Sequence, residues 1–255
     1  MLETFAISST LGPSSSPPGH LIALFLGAFA AAALSGSAGF GGALLLLPFI
    51  THTVGSTFAV PLLTLAQIVG NASRMALGFR QIQWRPVGYF LIVGLPAAVL
   101  GALCFVSIPK STIIRVIGAA ILTFVALRLS GWLQFSAGKW TLVIVGAVSG
   151  FLSGLVGSAG TVGSAVFLSL GLPPVAYVAS DATASLLIHV VKTATYQRHF
   201  ALPPHLWSLA LLLGLAMVLG TWASKRIIEG LAPDRFRQFV SILLGVIAVQ
   251  MMIFG

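Results

Sequence analysis

Two sets of polar side chains recur at helical spacing inside apolar sequence. Asp181, Ser185, His189, Lys192 and Tyr196 follow one another at intervals of 4, 4, 3 and 4 residues, which puts them on one face of an α-helix. Thr64, Gln67, Asn71 and Arg74, at intervals of 3, 4 and 3, share a face in the same way. Charges and amides within apolar spans are costly and ordinarily face a cavity. The chemistry on offer is recognition of negative charge. Lys192 and Arg74 bring positive charge, Gln67, Asn71 and Ser185 bring hydrogen bonds, and Asp181 and His189 are the side chains able to carry a coupling proton.

A second pattern sits just upstream of each stripe. Gly36-Ser37-Ala38-Gly39 returns 121 residues later as Gly157-Ser158-Ala159-Gly160, and Gly42 pairs with Gly163. At the same offset Thr64 pairs with Ser185 and Asn71 with Lys192. Glycine-dense backbone inside an apolar run leaves amides outside a helix ladder, and these need protein, water or a ligand as partner. Two such breaks at matching places in two halves point to a ligand site between them. The expected site comprises Gly36, Ser37, Ala38, Gly39, Gly41, Gly42, Gln67, Asn71 and Arg74 from the first half. The second half contributes Gly157, Ser158, Ala159, Gly160, Ser185, His189 and Lys192.

The elements that must position these groups follow from composition. The chain has 255 residues, of which 58% are hydrophobic and 7% charged, and its mean hydropathy is +1.06. Such a chain lacks the polar surface of a water-soluble globule. Its apolar residues come in blocks near 20 long, which predicts an all-α integral membrane protein and argues against a β-barrel. The net charge of +9 is spread singly or in pairs near span ends. It therefore reads as topology signal and lipid anchoring, with no nucleic-acid partner. A single cysteine, Cys104, excludes an internal disulfide and a multi-cysteine metal site; no metal or cofactor is expected.

Residues 1–19, rich in Ser and Pro and lacking Lys or Arg, read as a disordered tail with no signal-peptide start. Two homologous repeats follow, residues 20–131 and 140–255, joined by a linker at 132–139. Each is expected to hold four long transmembrane helices and one short broken or re-entrant helix, at 43–53 and 164–172. The breaks are placed at 36–42 and 155–163, and the polar-striped spans at 57–78 and 175–197. If the short segments cross, nine basic residues fall on the cytoplasmic side against four opposite; if they do not, the split is six against seven. The positive-inside rule thus favours inverted repeats of odd crossing number.

Plainer roles compete for several of these residues. Arg74 and Lys192 are near enough to span ends to snorkel, Asp181 follows Pro173-Pro174 and suits a helix cap, and His189 suits a packed core position. Glycines also serve close helix packing. Tyr196 and Trp207 read as interfacial belt residues.

At these residues the chain resembles the TauE/SafE family, the sulfite exporter and toluene sulfonate uptake permeases. The resemblance rests on Gly39-Phe40-Gly41-Gly42 with Pro48, on the 154–163 glycine segment, and on Val178-Ala179-Ser180-Asp181-Ala182-Thr183-Ala184-Ser185. It covers about residues 20–254. It implies a multi-pass permease of the cell (inner) membrane for small sulfur-containing anions, driven by an ion gradient, with the bilayer and the anion as partners and no enzymatic activity. Two other functions compete. One is an intramembrane hydrolase using Ser158 and His189, weakened by a first copy that has Ser37 but no base at Ile68. The other is a passive anion channel or a metal-cation transporter, the latter weakened because Asp181 is the only acidic residue within an expected span.

Overall fold

The computed structural model describes residues 18–38, 43–107, 138–157, 160–199, 203–229 and 235. Within them the chain is an all-α, multi-span bundle. Its helices are α1 Pro18–Ala38, α2 Ala43–Leu77, α3 Trp84–Ser107, α4 Lys139–Val156, α5 Gly160–Ser169, α6 Pro174–His199 and α7 Pro204–Glu229. A single 3₁₀ turn, Phe79–Gln81, links α2 to α3. Among the described residues, Trp84–Ser107, Pro174–His199 and Pro204–Ser224 are each long and apolar enough to cross a membrane. Residues 1–17 of the tail expected at 1–19, the span at 112–131, most of the linker and the span at 239–254 lie outside the described residues, while Pro18 and Gly19 already belong to α1.

Three expected boundaries are corrected. The short piece at 43–53 and the span at 57–78 form one 35-residue helix, α2. At 1.5 Å per residue it is about 50 Å long, well beyond the ~30 Å hydrocarbon core. The reason is visible by comparison with the second half. There α5 stops at Ser169, Gly171 adopts a left-handed φ of 66°, and Pro173-Pro174 prevents continuation. The corresponding positions in α2 are Ile50, His52 and Thr53, none of which breaks a helix. Pro48 and Pro61 each remove one ladder hydrogen bond without ending it.

The breaks themselves are shorter than expected. Helix α1 runs on through Gly36, Ser37 and Ala38, leaving 39–42 between α1 and α2. In the second half the interruption is confined to 157–159, because Leu155 and Val156 finish α4 while Gly160 to Gly163 already belong to α5. Gly157 caps α4 with φ 87° and ψ −23°, and its N–H donates to the Ser153 carbonyl. The left-handed cap satisfies an orphan carbonyl at the helix end, and it requires glycine because a Cβ there is disfavoured and would meet Val60 Cγ1 at 2.7 Å.

Packing of the bundle depends on small residues. Gly146, Gly150 and Gly154 form one stripe on α4, and a Cβ on them would collide with the carbonyls of Phe90, Gly94 and Ala98 on α3. The two backbones are in direct contact, as in small-residue interfaces between membrane helices. Gly220 brings α7 equally close to the Phe29 carbonyl of α1. Helix α2 lies between α6 and α7, and α3 also packs on α6. Three apolar clusters fill the interior, a smaller one being built from Val60, Ala102, Phe105, Leu155 and Tyr196. Of the larger two, one centres on Phe90, Phe167, Val166 and Tyr177; the other on Leu24, Ala28, Leu62, Leu63 and Leu213. Large apolar side chains such as Ile22, Ile92, Ile144 and Leu211 point outward, as lipid solvation permits. Trp84, Trp140, Trp207 and Trp222 are exposed near helix ends, where indole suits the bilayer interface.

Candidate functional site

The two polar stripes meet inside the bundle because α2 packs against α6. Thr64, Gln67, Asn71 and Arg74 on α2, and Asp181, His189 and Lys192 on α6, are all buried; Ser185 between them is half-buried. Arg74 is 5% exposed and Lys192 0%, so neither snorkels to the interface. Asp181 stands in the second turn of α6, too deep in the helix to cap it.

Each charged group has a defined setting. Arg74 Nη2 donates to Asn71 Oδ1 at 2.7 Å, and its guanidinium interacts electrostatically with Asp181 and Tyr177. Asp181 Oδ2 accepts from Ser164 Oγ of α5 at 3.0 Å. His189 lies in the field of both Lys192 and Arg74. Lys192 Nζ donates to Gly157 O at 2.6 Å, Ser153 Oγ at 3.1 Å and Ser153 O at 3.2 Å. One helical turn on, the Tyr196 hydroxyl donates to Gly154 O while its ring packs on Phe105, centroids 5.3 Å apart. Tyr196 is therefore a buried strut between α6 and α4 and not a belt residue. Trp207 is exposed near the start of α7.

Gln67 Nε2 and His189 Nδ1 are among the buried polar atoms without a hydrogen-bond partner in the described residues. In native proteins such atoms are few and call for an explanation, an unplaced ligand or water among them. Among the described residues, two cationic side chains, Arg74 and Lys192, share this interior with a single carboxylate, Asp181. Where both cations are protonated they outnumber that carboxylate, and an anion would balance the difference.

Of the expected site residues, the structure brings Gln67, Asn71, Arg74, Asp181, His189 and Lys192 into one buried band, with Gly157 at its edge through Lys192. Gly36, Ser37 and Ala38 lie in the last turn of α1, and Gly160 opens α5. Gly39, Gly41, Gly42, Ser158 and Ala159 lie outside the described residues. Sequence reasoning passed over Ser153, Gly154 and Ser164, the groups that hold Lys192, Tyr196 and Asp181. The four-residue interval from Lys192 to Tyr196 hinted at a shared partner helix, but nothing local identified it.

A multi-pass helical membrane protein with a buried, charged band beside an interrupted segment has the build of a small-solute permease. The sequence profile of the family described as sulfite exporter TauE/SafE matches residues 24–251, and the chain belongs to that family. Its members are membrane transporters associated with small anions and are not enzymes, which overturns the Ser158–His189 hydrolase reading. A relative described as probable membrane transporter protein y4hK, from Sinorhizobium fredii (strain NBRC 101917 / NGR234), is 32% identical over 155 residues, 56% of this chain and 61% of the relative. The chain thus matches less than two thirds of that relative's length. No solved structure matches.

Proposed function

We propose that this protein is a secondary transporter that carries a small anion of the sulfite or sulfonate class across the cytoplasmic membrane. Family membership supports the anion class, and the relative's description as a probable membrane transporter agrees with it. The observation that carries the reading is the buried band itself. It places two cationic side chains, Arg74 and Lys192, beside Asp181, with Gln67 Nε2 and His189 Nδ1 lacking partners among the described residues. A compact oxyanion would meet Arg74 as a charge-assisted acceptor and give both atoms a partner. Amides at the two breaks, including the start of α5 at Gly160, would add dipolar attraction. Asp181 and His189 are the coupling groups in this reading.

The two halves, 20–131 and 140–255, act as inverted repeats that rock about this site. The packing supports it. Under the 121-residue offset α1 corresponds to α4 and α3 to α7, and the two closest glycine-mediated pairs, α3 on α4 and α7 on α1, are each other's counterparts.

The direct test is uptake of radiolabelled sulfite or a short alkyl sulfonate into proteoliposomes holding the purified protein. Saturable uptake driven by an imposed proton gradient is expected. Flux that rises linearly with concentration and ignores the gradient would indicate a channel. Absence of flux for both anions would overturn the reading.

A further inference from the structure

The ammonium of Lys192 is surrounded in a way that an anion-binding lysine is not. Its three acceptors are two backbone carbonyls and a hydroxyl, Gly157 O, Ser153 O and Ser153 Oγ, at 2.6, 3.2 and 3.1 Å. Carbonyl oxygens only accept, and the three contacts match in number the three N–H groups of a protonated Lys192. The oxygens come from the last turn of α4 and its left-handed cap, where the helix dipole presents its negative end. Carbonyls freed where a helix unwinds, with a neighbouring hydroxyl, are also the means by which ion-coupled transporters bind a free monovalent cation. The side chain is 0% exposed and Ser153 5%, so the cage is closed to water.

We propose that the α4 end is a monovalent-cation cage permanently filled by the tethered ammonium of Lys192, so that no free metal cation is needed there. Lys192 is then a positioning residue that locks the second break, its hydrogens spent on protein oxygens, and it acts on a bound anion only through its charge. The cage belongs to the second half alone. The positions matching Lys192 and Ser153 at the 121-residue offset are Asn71 and Ala32, which provide neither the cation nor the hydroxyl.

The cage has a signature independent of transport, so its failure is distinguishable from failure of the proposed function. Lys192→Ala empties it and leaves three oxygens around a space able to admit a small cation. Melting of the purified variant in detergent is compared in choline, sodium, potassium and methylammonium chlorides. The N···O spacing fits ammonium or potassium better than sodium. Methylammonium and potassium should therefore raise the melting temperature of Lys192→Ala on the order of 5 °C over choline, with sodium less effective. Adding Ser153→Ala should abolish most of that shift. The wild type should melt alike in all four salts, within about 1 °C. Identical melting of Lys192→Ala in every salt, or recovery of folded variant in none of them, would overturn the proposal. So would a sodium- or potassium-dependent shift in the wild type, a measurement that does not depend on the variant folding. In proteoliposomes, wild-type anion uptake should be indifferent to replacing sodium and potassium by choline; a requirement for either would equally refute it.

Discussion

Replacing Arg74 by glutamine isolates the charge on which the anion site depends. The side chain is buried, bonded through Nη2 to Asn71 Oδ1 at 2.7 Å, and electrostatically coupled to Asp181. Glutamine keeps a donor but removes the charge. Hydrogen bonds to charged groups contribute about 1.5–3 kcal/mol, and two unit charges at 4 Å in an effective dielectric near 20 interact by about 4 kcal/mol. Since the variant keeps part of the hydrogen bonding, a net loss of about 2–3 kcal/mol is expected, or roughly 30- to 140-fold in apparent affinity. The assay is the concentration dependence of sulfite uptake in proteoliposomes, with thermal melting run in parallel. Arg74→Gln also strands Asp181 with one cation fewer, so a stability loss is expected as well. The double variant Arg74→Gln with Asp181→Asn separates the two effects, because removing the carboxylate should restore melting but not affinity. Affinity within about threefold of wild type in Arg74→Gln would refute the reasoning. Full recovery of affinity in the double variant would do so too, since Arg74 would then serve Asp181 and not the substrate.

Other expectations concern the scaffold that holds the site. Ser164→Ala removes the hydroxyl bonded to Asp181 at 3.0 Å; a melting loss equivalent to about 1.5–3 kcal/mol is expected, and it should shrink when Asp181 is already asparagine. Gly150→Ala drives a methyl into the Gly94 carbonyl and should cost about 1–3 kcal/mol by overpacking, with Gly150→Leu failing to assemble. Gly88→Ala, on the facing helix α3 with nothing within 4 Å of the added Cβ, should be neutral or gain up to about 1 kcal/mol from helix propensity; equal losses at both sites would disprove backbone contact as the cause. Tyr196→Phe keeps the ring against Phe105 and loses the hydroxyl bonded to Gly154 O, so melting should fall by the equivalent of about 1 kcal/mol. An unchanged melting curve would show that the strut is idle.

The sequence alone carried the membrane class, because block hydrophobicity is local and additive along the chain. It also showed that Asp181, His189 and Lys192 share one helix face and Gln67, Asn71 and Arg74 another, since helical periodicity is a property of spacing. It showed the duplicated glycine segment as well. It did not give the continuity of α2. Pro48 resembled a breaker there, yet a lone proline leaves α2 running on, whereas α5 ends where left-handed Gly171 and Pro173-Pro174 follow it. Nor did it distinguish a snorkelling lysine from a buried one. Lys192 is committed to Ser153 and Gly157, 39 and 35 residues away, and Arg74 faces Asp181 across the α2–α6 contact. Tertiary structure decided these partnerships because a buried polar group takes its partner from whichever helix packs against it. That choice depends on shape complementarity, here set by glycines that let α3 and α4 touch, and it is not encoded in the residues flanking either partner.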